Sequence, residues 1–230
     1  MTLRTNARLA GFTFLFYIAT GIASMVVFNR ATGAAEGAAG TLASLAQHAA
    51  LVRLTAALTF LQFLSAVVLG VTLYALTRDE DSDLAILALC CRASEGVVGA
   101  VAAVRTLGLL SVATTSVAAT GPDAATAVAF GDLLLKQGGS SFLIAASCFA
   151  VGSTLFSYLF LRARNIPLWM AWLGVLASVL LVVALPLRLF EFLKGPLGFA
   201  IWLPMLVFEV ALALWLLFKG VTVPSRALSA

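Results

Sequence analysis

Charge is what this sequence has least of. Only 10% of its 230 residues are Asp, Glu, Lys or Arg, against about 25% in a soluble domain. The 14 basic and 10 acidic side chains leave a net charge of +4, but the basic ones are scattered at the ends of apolar runs. Without a basic stripe or interleaved aromatics there is no nucleic-acid surface, and anchoring against a membrane face accounts for them. Histidine occurs once, as His48, with no cysteine partner nearby, so no metal site is expected. The three cysteines, Cys90, Cys91 and Cys148, lie inside apolar runs and form no C-x-x-C pair. Neither a disulfide framework nor a zinc site follows, and they read as small hydrophobes. G-x-S-x-G, H-E-x-x-H, a Walker loop and G-x-G-x-x-G are all missing. No catalytic residue, cofactor or reaction is therefore assigned.

Apolar residues, by contrast, make up 62% of the chain, and the mean hydropathy is +1.09. No water-soluble fold of this size hides so much apolar surface, so the lipid bilayer is the partner for much of it. In lipid every backbone N–H and C=O must be satisfied internally, by helices or by a closed barrel. The apolar runs are near-continuous and lack the period-2 alternation of barrel strands. The expected fold class is all-α, a polytopic transmembrane helix bundle in one integral membrane domain over residues 1–230. Six runs approach the roughly 20 residues needed to cross about 30 Å of hydrocarbon. They are Leu9–Phe28, Leu54–Leu76, Leu84–Leu110, Phe142–Leu161, Leu168–Leu187 and Leu197–Phe218. The first is too long for a signal-peptide core and reads as an uncleaved helix.

Punctuation separates the runs. Asn29 to Gly40 is Gly/Ala-rich, and Arg78 to Asp83 is the one dense charge run. Gly121-Pro122 opens a connector that Gly138-Gly139 closes, and Arg162 to Pro167 is a short basic turn. Two stretches outside the spans read as helical. Leu42 to His48 is short and amphipathic, and Asp123–Lys136 sets Asp132 and Lys136 at i,i+4 for an ion pair, with an apolar face for the bilayer surface. Trp169, Trp172, Trp202 and Trp215 fall near span ends, at aromatic-belt positions. The two halves share no spacing, which argues against an inverted-repeat transporter. Six spans place Arg4, Arg8, Arg78, Arg162, Arg164, Lys219 and Arg226 on one side, against Arg30, Arg53, Arg105, Lys136, Arg188 and Lys194 on the other. This narrow bias puts both termini in the cytoplasm of a bacterium, with the chain in the inner membrane.

Charge inside a span is costly and marks the first place to look for function. Arg92 and Glu95 stand in the third run and Glu209 in the sixth. Arg92 and Glu95 are three residues apart, on one helix face with Ala85, Ala88, Gly96, Gly99 and Ala103. Such a small-residue stripe admits a close neighbour, so this face points into the bundle. At 1.5 Å per residue Arg92, Glu95 and Glu209 lie roughly 12, 16 and 14 Å deep. Helices three and six thus bring their charges to one level, as ligand- or proton-binding candidates. One cation and two carboxylates sum to −1, which a bound proton would neutralise. The plain structural alternative is a bridge that pins helix three to helix six. Tyr17, Gln62, Ser147, Ser153, Ser157 and Tyr158 reach similar depths, where single polar residues are more often helix–helix glue.

The order of motifs is informative. Arg8-Leu9-Ala10-Gly11 enters the first run, and Arg92-Ala93-Ser94-Glu95 sits in the third. Then come Ile166-Pro167-Leu168-Trp169 through Gly174, and Phe208-Glu209 through Gly220. From about Ala7 to Val221 the chain resembles the bacterial multi-pass membrane family catalogued as domain of unknown function 4386. The resemblance implies about six membrane helices and no assigned activity, and adds weight to Arg92, Glu95 and Glu209. Three function classes follow. The first is binding or transport of a small-molecule ligand or a proton through the buried cluster. The second is an accessory or structural role with the cluster as glue, and the third a membrane-embedded enzyme acting on lipid. The third ranks last for want of a nucleophile–base pair, and protein partners are not indicated by any motif.

Overall fold

A backbone in lipid must close its own hydrogen bonds, and this one does so by helix. The computed structural model describes residues 2–33, 35–193 and 197–221. Among them are eight helices and no strand: α1 (Leu3–Thr32), α2 (Gly37–Gln47), α3 (Ala49–Thr77), α4 (Ser82–Ala118), α5 (Pro122–Ala163), α6 (Leu168–Leu189), α7 (Leu197–Ala200) and α8 (Leu203–Phe218). Five of these, α1, α3, α4, α5 and α6, are long and apolar enough to cross a membrane. The all-α class holds.

Two boundaries differ from expectation. The expected sixth span, Leu197–Phe218, is broken into α7 and α8. Pro204 is the cause: it has no N–H to donate, and its ring would clash with the carbonyl of Ala200 in a continuous helix. Proline is tolerated in a first turn, and α8 begins there. Its 16 residues reach about 24 Å, short of the roughly 30 Å hydrocarbon core. The second difference is the expected connector closed by Gly138-Gly139, with a separate surface helix before the fourth span. Residues 122–163 instead form one helix of 42 residues that runs straight through both glycines. Each glycine costs about 1 kcal/mol relative to alanine, too little to break a helix of this length. The Asp132–Lys136 pair does form on its surface, at 2.6 Å.

The packing divides the described chain into two compact units. One holds the residues up to Tyr17, then Leu64–Gly96, and those from Leu143 on. Its core includes Phe14, Leu73, Phe156, Phe160, Leu181, Leu212 and Leu216. Small residues set its closest approaches. A Cβ at Gly11 would lie 2.5 Å from the Ala213 carbonyl and 2.7 Å from the Leu217 amide, and one at Gly174 2.5 Å from the Phe208 ring. The start of α1 thereby lies against the end of α8. Arg162, just beyond the apolar part of α5, pairs with Glu80 at 3.1 Å and Asp81 at 3.3 Å, joining the α3–α4 and α5–α6 turns. The other unit holds Ile18–Phe63 and Val97–Phe142. Its core is built on Ala31, Leu42, Leu45, Val52, Leu109, Leu110 and Ala113. There the space over Gly138 is taken by the Arg105 guanidinium, 2.3 Å from where a Cβ would be, and its Nη1 donates to the Leu134 carbonyl.

Candidate functional site

Arg92 and Glu95 leave α4 one turn apart, and Arg92 Nη1 stands 2.9 Å from Glu95 Oε2. Arg92 is 1% exposed and Glu95 7%, so this is an ion pair of the interior. Small residues on the facing helices make the room. A Cβ on Gly70 of α3 would sit 3.1 Å from the Arg92 Cβ, and one on Gly152 of α5 3.4 Å from its Cγ. Of the expected stripe, Ala85, Ala88 and Gly96 are buried, whereas Gly99 has no neighbour within 4 Å of a built Cβ.

Two aromatic side chains complete the pair. Tyr17 of α1 donates its hydroxyl to Glu95 Oε1, and its ring faces the Arg92 guanidinium at 5.1 Å. On α5 the Phe149 ring lies 4.9 Å from the same guanidinium. Cation–π contacts of this kind strengthen when desolvated. Directional hydrogen bonding is poorer: Arg92 Nε, Nη1 and Nη2 and Glu95 Oε2 are buried without a well-aligned partner. The 2.9 Å contact is thus an ion pair without good hydrogen-bond alignment.

Glu209 enters from α8, 6% exposed, between Phe208 and Leu212 of the core. Its Oε1 is buried with no hydrogen-bond partner, and no Arg92 nitrogen lies within the 4 Å of an ion pair. Beside Arg92 is a cavity of about 10 Å³, with Ser153 and Ser157 as its other polar residues and walls of Phe and Leu. Of the three site residues read from sequence, Arg92 and Glu95 meet directly, and Glu209 shares their buried unit without pairing.

Tyr17, Ser153 and Ser157 stood out in the sequence only as polar residues at depth. Phe149 was missed, because an aromatic in an apolar run carries no sign that it will face an arginine. His48 caps α2, its Nδ1 2.9 Å from the Ser44 carbonyl, and meets no carboxylate there. Trp169 and Trp172 project outward at 61% and 49% exposure, as belt residues do. Trp202 and Trp215 pack against the core instead. Cys90 is exposed and Cys91 and Cys148 partly buried. Among the described residues no group of three His, Cys, Asp or Glu could hold a metal.

Apolar helices of membrane-crossing length around a buried ion pair define an integral membrane protein. The match that covers residues 9–220 is to the family described as Domain of unknown function (DUF4386). The chain belongs to that family, as its motif order implied. No curated protein and no solved structure matches it.

Proposed function

We propose that this chain is a multi-pass protein of the bacterial inner membrane, both termini cytoplasmic, that binds and carries a proton at Arg92, Glu95 and Glu209. The observation that carries the reading is Glu209, buried in the same compact unit as the Arg92–Glu95 pair with its Oε1 unpartnered. An ionised carboxylate taken out of water without a partner is strongly disfavoured. Glu95 already has Arg92 and Tyr17, which leaves Glu209 as the group that exchanges the proton. A cavity of about 10 Å³ has no room for an organic ligand, which favours a proton over a small molecule. In reconstituted liposomes, an imposed pH step should drive proton uptake read by an entrapped dye. Glu209→Gln should abolish it, and uptake equal to the parent's would refute the assignment.

A structural role is the second reading, because Tyr17–Glu95 ties α1 to α4 and Arg92–Phe149 ties α4 to α5. Against it, the ion pair lies within α4 and pins nothing to α8. Wild-type liposomes silent to the pH step, with Arg92 variants that fail to fold, would favour glue.

A further inference from the structure

Arginine is donor-only, with five N–H groups. Burial shuts Arg92 off from bulk water, and Glu95 engages one nitrogen, at poor alignment. Beyond the Tyr17 and Phe149 rings, a further partner of its N–H groups must accept hydrogen bonds and fit the space beside them. That space is the cavity of about 10 Å³ whose other polar lining is Ser153 and Ser157, one turn apart on α5. A water needs roughly 10–15 Å³ and two to four polar partners. Their neighbours on the same helix, Ser147 and Thr154, turn their hydroxyls back to the carbonyls of Leu143 and Ala150, whereas Ser153 and Ser157 line the cavity.

We infer that the cavity is an internal water site, holding one water between the Arg92 guanidinium and the Ser153 and Ser157 hydroxyls. The water accepts from Arg92 and gives its two hydrogens to the serine oxygens, three bonds in all, within the two to four that a buried water makes. A halide or hydroxide of similar size could also accept from Arg92. It would, however, place a second negative charge beside an arginine already paired with Glu95. Phe14, Phe156 and Phe160 exclude anything larger. Phe208 and Leu212, on the same helix as Glu209, also line it, although Glu209 itself does not. The water is therefore the mobile hydrogen-bonding member of the cluster, and it shuttles the proton that Glu209 exchanges. This last role rests on the proton reading above, while occupancy of the site does not.

The experiment is infrared difference spectroscopy of the whole protein in nanodiscs, across a pH step, in H₂¹⁶O and H₂¹⁸O. The wild type should show one O–H stretch that shifts with ¹⁸O and does not respond to added chloride or fluoride. Ser153→Ala with Ser157→Val should remove that band and slow proton uptake by about a hundredfold, the lower range for a positioned proton carrier. Leu73→Phe, which fills the cavity from its apolar wall and keeps both serines, should do the same if the serine variant does not fold. No ¹⁸O-sensitive band in the wild type, a band that persists in the filled variants, or one that moves with halide would each overturn the water site. A band present in a wild type that takes up no protons would leave the site standing and sink the proton reading instead.

Discussion

Replacing Arg92 by leucine removes the one buried cation among the described residues of the first unit and leaves Glu95 and Glu209 behind. Arg92 is 1% exposed and 2.9 Å from Glu95, so bulk water does not reach the carboxylates it leaves. Breaking one side of a buried pair costs about 3–5 kcal/mol. Two cation–π contacts, at 5.1 and 4.9 Å, are lost as well, each about 0.5–2 kcal/mol. Two effects act the other way: leucine returns apolar contact to the same walls, and the stranded carboxyls can take up protons. The net loss should therefore stand near 3 kcal/mol, the lower end of the range. The triple variant Arg92→Leu, Glu95→Leu, Glu209→Leu strands no charge, and exchanging a whole buried cluster for apolar residues is often near neutral. Reversible unfolding in mixed micelles should thus rank the single variant well below both parent and triple. A triple variant as unstable as the single would show that the charges hold the helices together, and the proton function would fall with it. A single variant as stable as the parent would refute the electrostatic account of the site altogether.

Other positions test other links. Tyr17→Phe removes the donor to Glu95 Oε1 and should cost about 1.5–3 kcal/mol, as for a hydrogen bond to a charged group, in the same unfolding assay. Gly11→Ala drives a Cβ to 2.5 Å from a backbone carbonyl of α8 and should lose about 1–3 kcal/mol by overpacking, read as a lower melting temperature. Gly138→Ala collides with the Arg105 guanidinium and breaks its bond to Leu134, whereas Gly139 has no neighbour within 4 Å. Gly139→Ala should therefore stabilise by up to about 1 kcal/mol and Gly138→Ala should not, so equal melting shifts would contradict the arrangement. Single cysteines at Ser82 and Thr41, in a background without Cys90, Cys91 and Cys148, should label from the cytoplasm and from outside respectively. The reverse pattern would invert the topology.

Class was legible in the sequence alone because it depends on sums and local spacing. Apolar runs with so little charge admit only a membrane-embedded helical protein, whatever the helices touch. The Arg92–Glu95 pair was equally accessible, since residues i and i+3 meet on any α-helix. The break at Pro204 is local in the same way, since a proline inside an apolar run interrupts the helix whatever packs against it. Other features depended on distant partners. Continuity of α5 through Gly138-Gly139 was not readable from two glycines, because the Arg105 side chain that fills the gap comes from α4. Equal depth brought Glu209 to the level of Arg92, but depth does not fix the rotation of α8, and that rotation leaves Glu209 buried with its Oε1 unpartnered. Tyr17 and Phe149 reach Arg92 from helices 75 and 57 residues away in sequence. Hydropathy decides that a segment is buried in lipid. Only the packing of one helix on another decides which polar atom it finds there, because that choice depends on distances between residues that share no local periodicity.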